Sequence, residues 1–326
     1  VIIADRRPWP ARLLSQLDRH PDAFLARCLV PASMLWALAA RFKRVLQPDL
    51  PLPAAVPSLG IGNLRVGGSG KTPVVEDLGR RLLAEGHRVA VLTRGYGSKG
   101  GGDEPGWMRD AGLQVHADKD RSAAFTHAEA AGATRMLLDD ALQTRHRPRW
   151  TVAIVLDRDL ADPPRVLPAG PAREAPSALE RADFLLVRRE ATADIALPEA
   201  ALGFRLEPED FVDASGLVVD APTGPALLFS GLARPESFEA DAVRAGVVPV
   251  ASWREPDHWS AGAQVGQSLL EFARTTGAEW ILTSEKNLGR LAGLQLQLPL
   301  LALRSRIRWD DVQDPLARLR AIGIDI

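Results

Sequence analysis

The run Arg65-Val66-Gly67-Gly68-Ser69-Gly70-Lys71-Thr72 stands between a β-rich stretch and an amphipathic one. Pro73 follows in the first helical turn, where its missing N–H costs nothing. Glycines at that spacing let backbone N–H groups turn inward around phosphate oxygens, and the helix N-terminus behind them adds positive potential. In such a loop the lysine, here Lys71, reaches the β- and γ-phosphates, and the hydroxyl of Thr72 ligates Mg²⁺. The expectation is a nucleotide-phosphate site running from Arg65 to Thr72. Arg65 stands where the usual pattern has its first glycine.

A phosphate loop of this kind needs an acidic group on a neighbouring strand to hold the metal. Arg135-Met136-Leu137-Leu138-Asp139-Asp140 supplies an apolar strand ending in two carboxylates. Asp139 is the expected metal partner, and Asp140 is expected to reach substrate or the metal's water. Thr93 to Pro105 follows another strand and carries two cations, Arg94 and Lys99, suited to phosphate. The same loop carries Asp103 and Glu104, suited to accepting a proton or binding Mg²⁺. Farther on, E-P-D-H-W-S (255–260) puts His258 at a helix start with Ser260 as its cap. T-S-E-K-N (283–287) reads either as a polar rim or as a helix-capping turn.

The elements that must hold these loops alternate short β-rich runs with longer amphipathic stretches, the order of a mostly parallel sheet covered by helices. Strands are expected at 58–61, 88–92, 135–138, 151–156 and 184–187, with helices at 73–85 and 121–131 and a C-cap glycine at Gly86. After short strands and a turn around Asp213–Gly216, a second block repeats the rhythm: strands 226–230, 247–251, 280–283 and 300–303, helices 236–245 and 261–275. The 326 residues divide into an N-terminal helical segment (1–50), a phosphate-loop core (51–205) and a smaller C-terminal α/β domain (206–326). Lys+Arg 40 against Asp+Glu 41 leaves net charge -1, which argues against a nucleic-acid partner. The single cysteine, Cys28, excludes an intrachain disulfide framework and a zinc cluster.

The apolar stretch 29–40 is shorter than the roughly 20 residues a spanning helix needs. Leu35, Leu38, Ala39, Phe42, Val45 and Leu46 fall on one helical face, with Arg41 and Arg44 turned away from it. That helix either packs on the protein's own core or lies on a membrane surface.

The order G-N-L-x-V-G-G-S-G-K-T-P, R-G-Y-G-S-K…G-D-E-P, D-D, L-P-A-G-P-x-R-E, P-D-H and T-S-E-K resembles the tetraacyldisaccharide 4′-kinase (lipid A 4′-kinase) family from about residue 30 to residue 305. The resemblance implies a P-loop NTPase-like α/β fold with a second, smaller α/β domain. It implies transfer of the ATP γ-phosphate, with Mg²⁺, to the 4′-hydroxyl of a lipid A disaccharide 1-phosphate. The setting it implies is peripheral, at the cytoplasmic face of the inner membrane, with the N-terminal amphipathic helix docked on the lipid and the protein a monomer. By the same resemblance Ser69, Lys71 and Thr72 belong to the phosphate loop, and Asp103 is the catalytic base with His258 as its partner. Glu104 and Asp139 match acidic positions near Mg²⁺, and Asp140 completes the family's Asp pair; Arg94 and Asp140 are the residues expected to bind substrate.

Two motifs depart from the family. D-D-G-F-Q-H reads Asp139-Asp140-Ala141-Leu142-Gln143-Thr144, and T-T-E-K-D reads Thr283-Ser284-Glu285-Lys286-Asn287. Thr144 cannot take a charge as histidine does, so a phosphate or metal-water contact there would move, to His146 or Arg145. A kinase for another membrane glycolipid, and a nucleotide-binding switch with little transfer activity, are the alternatives.

Overall fold

The computed structural model describes residues 1–94, 108, 111–190, 196–199, 201–257, 259, 261–294, 296–310 and 314–326. From the N-terminus run β1 (Ile2–Asp5), α1 (Trp9–Arg19), α2 (Phe24–Cys28), α3 (Val30–Leu46) and β2 (Leu50–Pro51). Then come β3 (Ser58–Asn63), α4 (Lys71–Ala84), β4 (Val89–Thr93), β5 (Gln114–Ala117), α5 (Arg121–Ala130), β6 (Arg135–Asp139) and β7 (His146–Arg147). They are followed by β8 (Trp150–Leu156), α6 (Asp157–Ala161), a 3-10 turn (Pro176–Arg181), β9 (Phe184–Arg188) and β10 (Ala201–Val212). The remainder is β11 (Val218–Val219), β12 (Pro225–Ser230), α7 (Pro235–Arg244), β13 (Val248–Arg254), α8 (Ala263–Thr276), β14 (Trp280–Ser284), α9 (Glu285–Ala292), β15 (Leu300–Trp309) and α10 (Pro315–Ala321).

Two compact units contain these elements: Gln16–Arg205 with Ile307–Ile326, and Val1–Ser15 with Leu206–Arg306. The division differs from the expected segments at both chain ends. Residues 1–15 fall in the unit of the C-terminal block because β1 pairs in parallel with β13, Ile2 opposite Ala251. Residues 307–326 fall with the phosphate-loop core because Trp309 donates its indole N–H to Asp77 of α4 (2.8 Å) and Arg320 forks onto Glu85 (2.8 and 2.6 Å). Both are pairings between distant segments, which local periodicity does not report.

In the first unit the strands run β9, β8, β3, β6, β4, β5 in parallel, with the start of β10 alongside β9. Every residue of β3 and β4 is buried, as expected of strands covered on both faces. The chain leaves β3 toward β4 and β5 on one side and builds β8 and β9 on the other. The turn after β3 therefore sits where strand order reverses, the place at which open α/β sheets bind ligands. Val74, Val75, Leu78 and Leu82 line the inward stripe of α4, and Gly86 (φ 88°) ends it in the left-handed region, with His87 N–H bonded back to Leu82 O (3.1 Å).

The second unit has its own parallel sheet, β1, β13, β12, β14, β15. Its core is rich in aromatic rings: Phe229, Trp253 and Trp259 with Leu269 and Ile281 in one cluster, Phe238 and Trp280 with Leu228 and Leu282 in the other. Asp213 closes the β10–β11 hairpin by accepting from the N–H groups of Ser215 (2.9 Å) and Leu217 (3.0 Å). Helix α8 starts at Ala263 with Gly262 at its N-cap. The cap expected at Ser260 lies outside the described residues.

Helix α3 turns Ser33, Ala37, Ala40 and Arg44 inward and leaves Leu35, Leu38, Phe42, Val45 and Leu46 exposed. The apolar stripe therefore does not pack on the unit's own core. Among the described residues no helix is long and apolar enough to cross a membrane.

Candidate phosphate-binding site

The turn after β3 takes its shape from three glycines in the left-handed region: Gly67 and Gly68 (φ 68° each) and Gly70 (φ 91°), which is the N-cap of α4. A side chain at any of them would be strained, so this backbone path requires glycine there. Arg188, at the end of β9, donates to Gly68 O (2.8 Å) and fixes the loop from the neighbouring strand. Ser69 is buried, and its Oγ has no hydrogen-bond partner among the described residues. A buried hydroxyl without a partner is costly. Beside a glycine turn at a helix N-terminus it fits a phosphate oxygen as the missing partner.

Lys71 Nζ donates to Asn63 Oδ1 (3.0 Å) and lies 3.4 Å from Asp140 Oδ1. Asn63, fully buried at the end of β3, donates in turn to Arg65 O (2.9 Å). Asp140 has φ 57°, and no other non-glycine among the described residues has a positive φ. Both of its oxygens accept from Arg173 Nη1 (2.9 and 2.8 Å), which also donates to Gln143 Oε1 (3.2 Å). Gln143 Nε2 donates to Asn63 O (2.8 Å), closing a ring of polar contacts around the lysine. Burial opposes the charge on Asp140, but Lys71 and Arg173 outweigh it and hold the carboxyl below the usual carboxylate range. Asp140 is therefore already engaged by cations, where the sequence expectation had it facing substrate or a metal's water.

Arg65 also departs from its expected place. Its guanidinium is buried and bonded to both oxygens of Asp159 (2.6 Å each) and to Asp18 of α1 (2.8 Å). Burial works against that charge, and the carboxylates of Asp159 and Asp18 raise the pKa above the ordinary arginine value. The side chain braces the loop from behind, and only its main chain is turned to the polar ring.

Asp139 is buried at the end of β6, and its carbonyl accepts from Arg121 Nη2 (2.9 Å). Because β3, β4 and β6 are parallel, the glycine turn, Arg94 and the Asp139–Asp140 pair all follow strands at one sheet edge. Arg94 is exposed there. Thr72, half-buried, belongs to the first turn of α4. Hard oxygens from a hydroxyl and one carboxylate, completed by phosphates, match how Mg²⁺ is held. Asp103, Glu104 and Lys99 lie outside the described residues, as does His258.

The departures from the family motif are accommodated by packing. Leu142 is fully buried beside Gly62, whose added Cβ would come within 2.5 Å of Leu142 Cβ, and it joins Leu64, Ala153 and Ala178. Thr144 Oγ1 accepts from His146 N–H (3.2 Å). His146 is buried, with Nε2 3.3 Å from Asp120 Oδ1, and burial, with Arg145 and Arg121 adding to it against Asp120, lowers its pKa. Its imidazole is thus engaged with Asp120 and lies beside Thr144 Oγ1.

In the second unit, residues 283–287 open a real helix: Ser284 is the N-cap of α9, and its Oγ accepts from Asn287 Nδ2 (2.9 Å). Asn287 Oδ1 receives the indole N–H of Trp259 (2.9 Å), and Lys286 Nζ pairs with Asp257 (2.9 Å). The residues on either side of position 258 are thereby tied to α9.

Sequence reasoning gave no role to Asn63 or Arg173, though both lie in motifs it singled out. The available signal was their position, one at the end of the strand feeding the glycine turn and one as the arginine of L-P-A-G-P-x-R-E.

A family model described as Tetraacyldisaccharide-1-P 4'-kinase matches residues 25–322. The chain is 34% identical to the tetraacyldisaccharide 4'-kinase of Phenylobacterium zucineum, over 89% of this chain and 90% of the relative. It is also 34% identical to the enzyme of that name from Pelobacter propionicus, over 92% of each. Its fold is similar to that of LpxK from Aquifex aeolicus, crystallised in complex with ATP, with TM-score 0.68 and 24% identity over 92% of this chain and 98% of that one.

Proposed function

Because this chain belongs to the tetraacyldisaccharide-1-P 4'-kinase family, we propose that it transfers the γ-phosphate of ATP to the 4′-hydroxyl of a tetraacyldisaccharide 1-phosphate, a step of lipid A biosynthesis. The observation that carries this reading is the glycine turn itself, with left-handed glycines, a partnerless buried Ser69 hydroxyl and Lys71 poised beside it. The turn's backbone N–H groups and Ser69 bind phosphate oxygens, and the start of α4 adds positive potential. Lys71 exchanges Asn63 for the β- and γ-phosphates. Asp140 and Asn63 keep its ammonium aimed at that place beforehand, so little reorganisation accompanies binding. Thr72 and Asp139 would hold Mg²⁺, which supplies charge neutralisation on the transferring phosphoryl group. Asp103 accepts the sugar hydroxyl's proton with His258 assisting it, Glu104 serves the metal, and Arg94, at that sheet edge, acts on substrate.

The exposed stripe of Leu35, Leu38, Phe42, Val45 and Leu46 on α3 supports docking on a lipid surface, where an acylated acceptor resides. The stripe supports peripheral association with a membrane; the cytoplasmic face of the inner membrane is the setting that the family resemblance implies, and we propose it here.

The test is phosphoryl transfer from labelled ATP with Mg²⁺ to tetraacyldisaccharide 1-phosphate in detergent micelles. Label at the 4′-position, lost in Asp103→Ala, supports the reading. Binding of ATP with no acceptor-dependent turnover would instead favour a nucleotide switch, and turnover only with another glycolipid would change the acceptor.

A further inference from the structure

Segment 166–174, which contains the L-P-A-G-P-x-R-E motif (167–174), has no role so far beyond carrying Arg173, and it is stretched between α3 and the glycine turn. On one side Val66 N–H donates to Pro171 O (2.9 Å) and Arg173 N–H donates to Leu64 O (2.8 Å). On the other, Ser33 Oγ donates to Val166 O (2.8 Å) and accepts from Ala169 N–H (3.0 Å), so one buried hydroxyl satisfies both ends of a turn. One helical turn further on, the indole N–H of Trp36 donates to Arg173 O (3.0 Å). The backbone of Arg173 is thus held from both directions, by Leu64 next to the glycine turn and by Trp36 on α3. Its guanidinium is the group that holds both oxygens of Asp140, and Asp140 lies against Lys71.

We propose that Ser33 and Trp36 are positioning residues for the nucleotide site, acting on Lys71 through Arg173 and Asp140. The inference rests on the reading of the glycine turn as the ATP site. Asp140 keeps a left-handed backbone that an aspartate adopts only when its surroundings impose it, and Arg173 is the cation that meets both of its oxygens. An arginine whose carbonyl is released can tilt. A tilt of a few tenths of an ångström at Arg173 moves Asp140 and so changes where Lys71 rests before phosphate arrives. The inward face of α3 thereby sets part of the geometry of the phosphate site, while its outward face is the apolar stripe.

The experiment compares the full chain with Trp36→Phe, which keeps an aromatic ring but removes the N–H, and with Ser33→Ala. The readouts are the Kd for a fluorescent ATP analogue with Mg²⁺, measured without lipid substrate, the KM for ATP and kcat in the transfer assay, and the thermal midpoint. The expected result is a Kd and an ATP KM raised roughly two- to tenfold in both variants, the range set by one lost hydrogen bond, with kcat largely recovered at saturating ATP. A merely structural role lowers the thermal midpoint and the active fraction but leaves the Kd of the folded protein where it was. That outcome overturns the inference, and Trp36→Phe, at a half-exposed position, decides it should Ser33→Ala fail to fold. If the unaltered chain binds no nucleotide, the ATP-site reading itself fails and the positioning role falls with it. Normal nucleotide binding in both variants removes the positioning role alone.

Discussion

After β3 in one unit and after β12 in the other, the chain makes the same move, from buried strand through glycine toward a helix, and puts the two turns to opposite uses. In the first, Gly67, Gly68 and Gly70 take left-handed conformations beside a buried serine hydroxyl that has no partner among the described residues. In the second, a Cβ on Gly231 would come within 2.2 Å of Trp259 Cδ1 and 2.5 Å of its Nε1. That glycine admits an indole, and Asn287 then accepts the indole N–H. On the function proposed above, one glycine turn serves a ligand, while the other makes room for the protein's own side chain. Strand, glycine and helix alone therefore say nothing about binding, and the neighbouring groups decide. Around the first turn those groups are charged and mutually committed, whereas around the second they are a packed aromatic cluster.

Substitutions can break this contrast at either end. The largest effect belongs to Lys71→Ala, where phosphoryl transfer should fall on the order of 10³-fold while the thermal midpoint stays close to that of the unaltered chain. A transfer rate within tenfold of the unaltered chain would remove Lys71 from the phosphate site. Next comes Arg65→Ala, which removes both hydrogen bonds to the buried Asp159 and leaves Asp18 to Arg158 alone, and should cost about 3–5 kcal/mol by urea unfolding. Were unfolding unchanged, the brace behind the turn would be dispensable. Gly231→Ala should behave in the reverse sense to Lys71→Ala: about 1–3 kcal/mol of stability lost through overpacking against Trp259, with nucleotide affinity retained. Loss of nucleotide affinity there would mean the second turn also serves the ligand.

The smallest effect is a pH dependence. Burial pushes the Asp18 carboxyl up, but Arg65 and Arg158 outweigh it and keep its pKa below the ordinary value. A carboxyl whose pKa is lower folded than unfolded contributes stability above the usual carboxylate range and loses it as pH falls through its folded value. Thermal midpoints of the unaltered chain and Asp18→Asn, measured from pH 7 down to pH 3, should therefore converge toward acid. A gap that stays constant or widens would put the contribution of Asp18 elsewhere.

What could be read from the sequence follows the same division between local and distant causes. Strands such as β6, β8 and β14 were visible because a strand buried on both faces carries a run of consecutive apolar residues. The glycine turn was visible because its conformations require glycine at set positions. The outward apolar stripe of α3 could be traced by spacing, but whether it met a core or stood exposed could not, since that depends on what the helix faces. Arg173 beside Asp140, and Arg65 turned back to Asp18 and Asp159, join residues far apart in the chain, while Asn63 meets Lys71 across the glycine turn, and no periodicity records any of them. Residues 283–287 were ambiguous between rim and cap because Ser284 caps α9 while receiving a bond from Asn287 within it.

The pairing of β1 with β13 bears on how the molecule is made. Ile2, Ile3 and Ala4 are synthesised long before the neighbours they pair beside, Ala251, Ser252 and Trp253. Until then the first strand has exposed apolar residues and an unpaired backbone edge, while residues 16–205 can already collapse around their own sheet. Pairings of such long sequence separation form slowly and leave strand edges open to the wrong partner in the meantime. Refolding from denaturant should accordingly be biphasic, with the fluorescence of Trp253 recovering in the late phase.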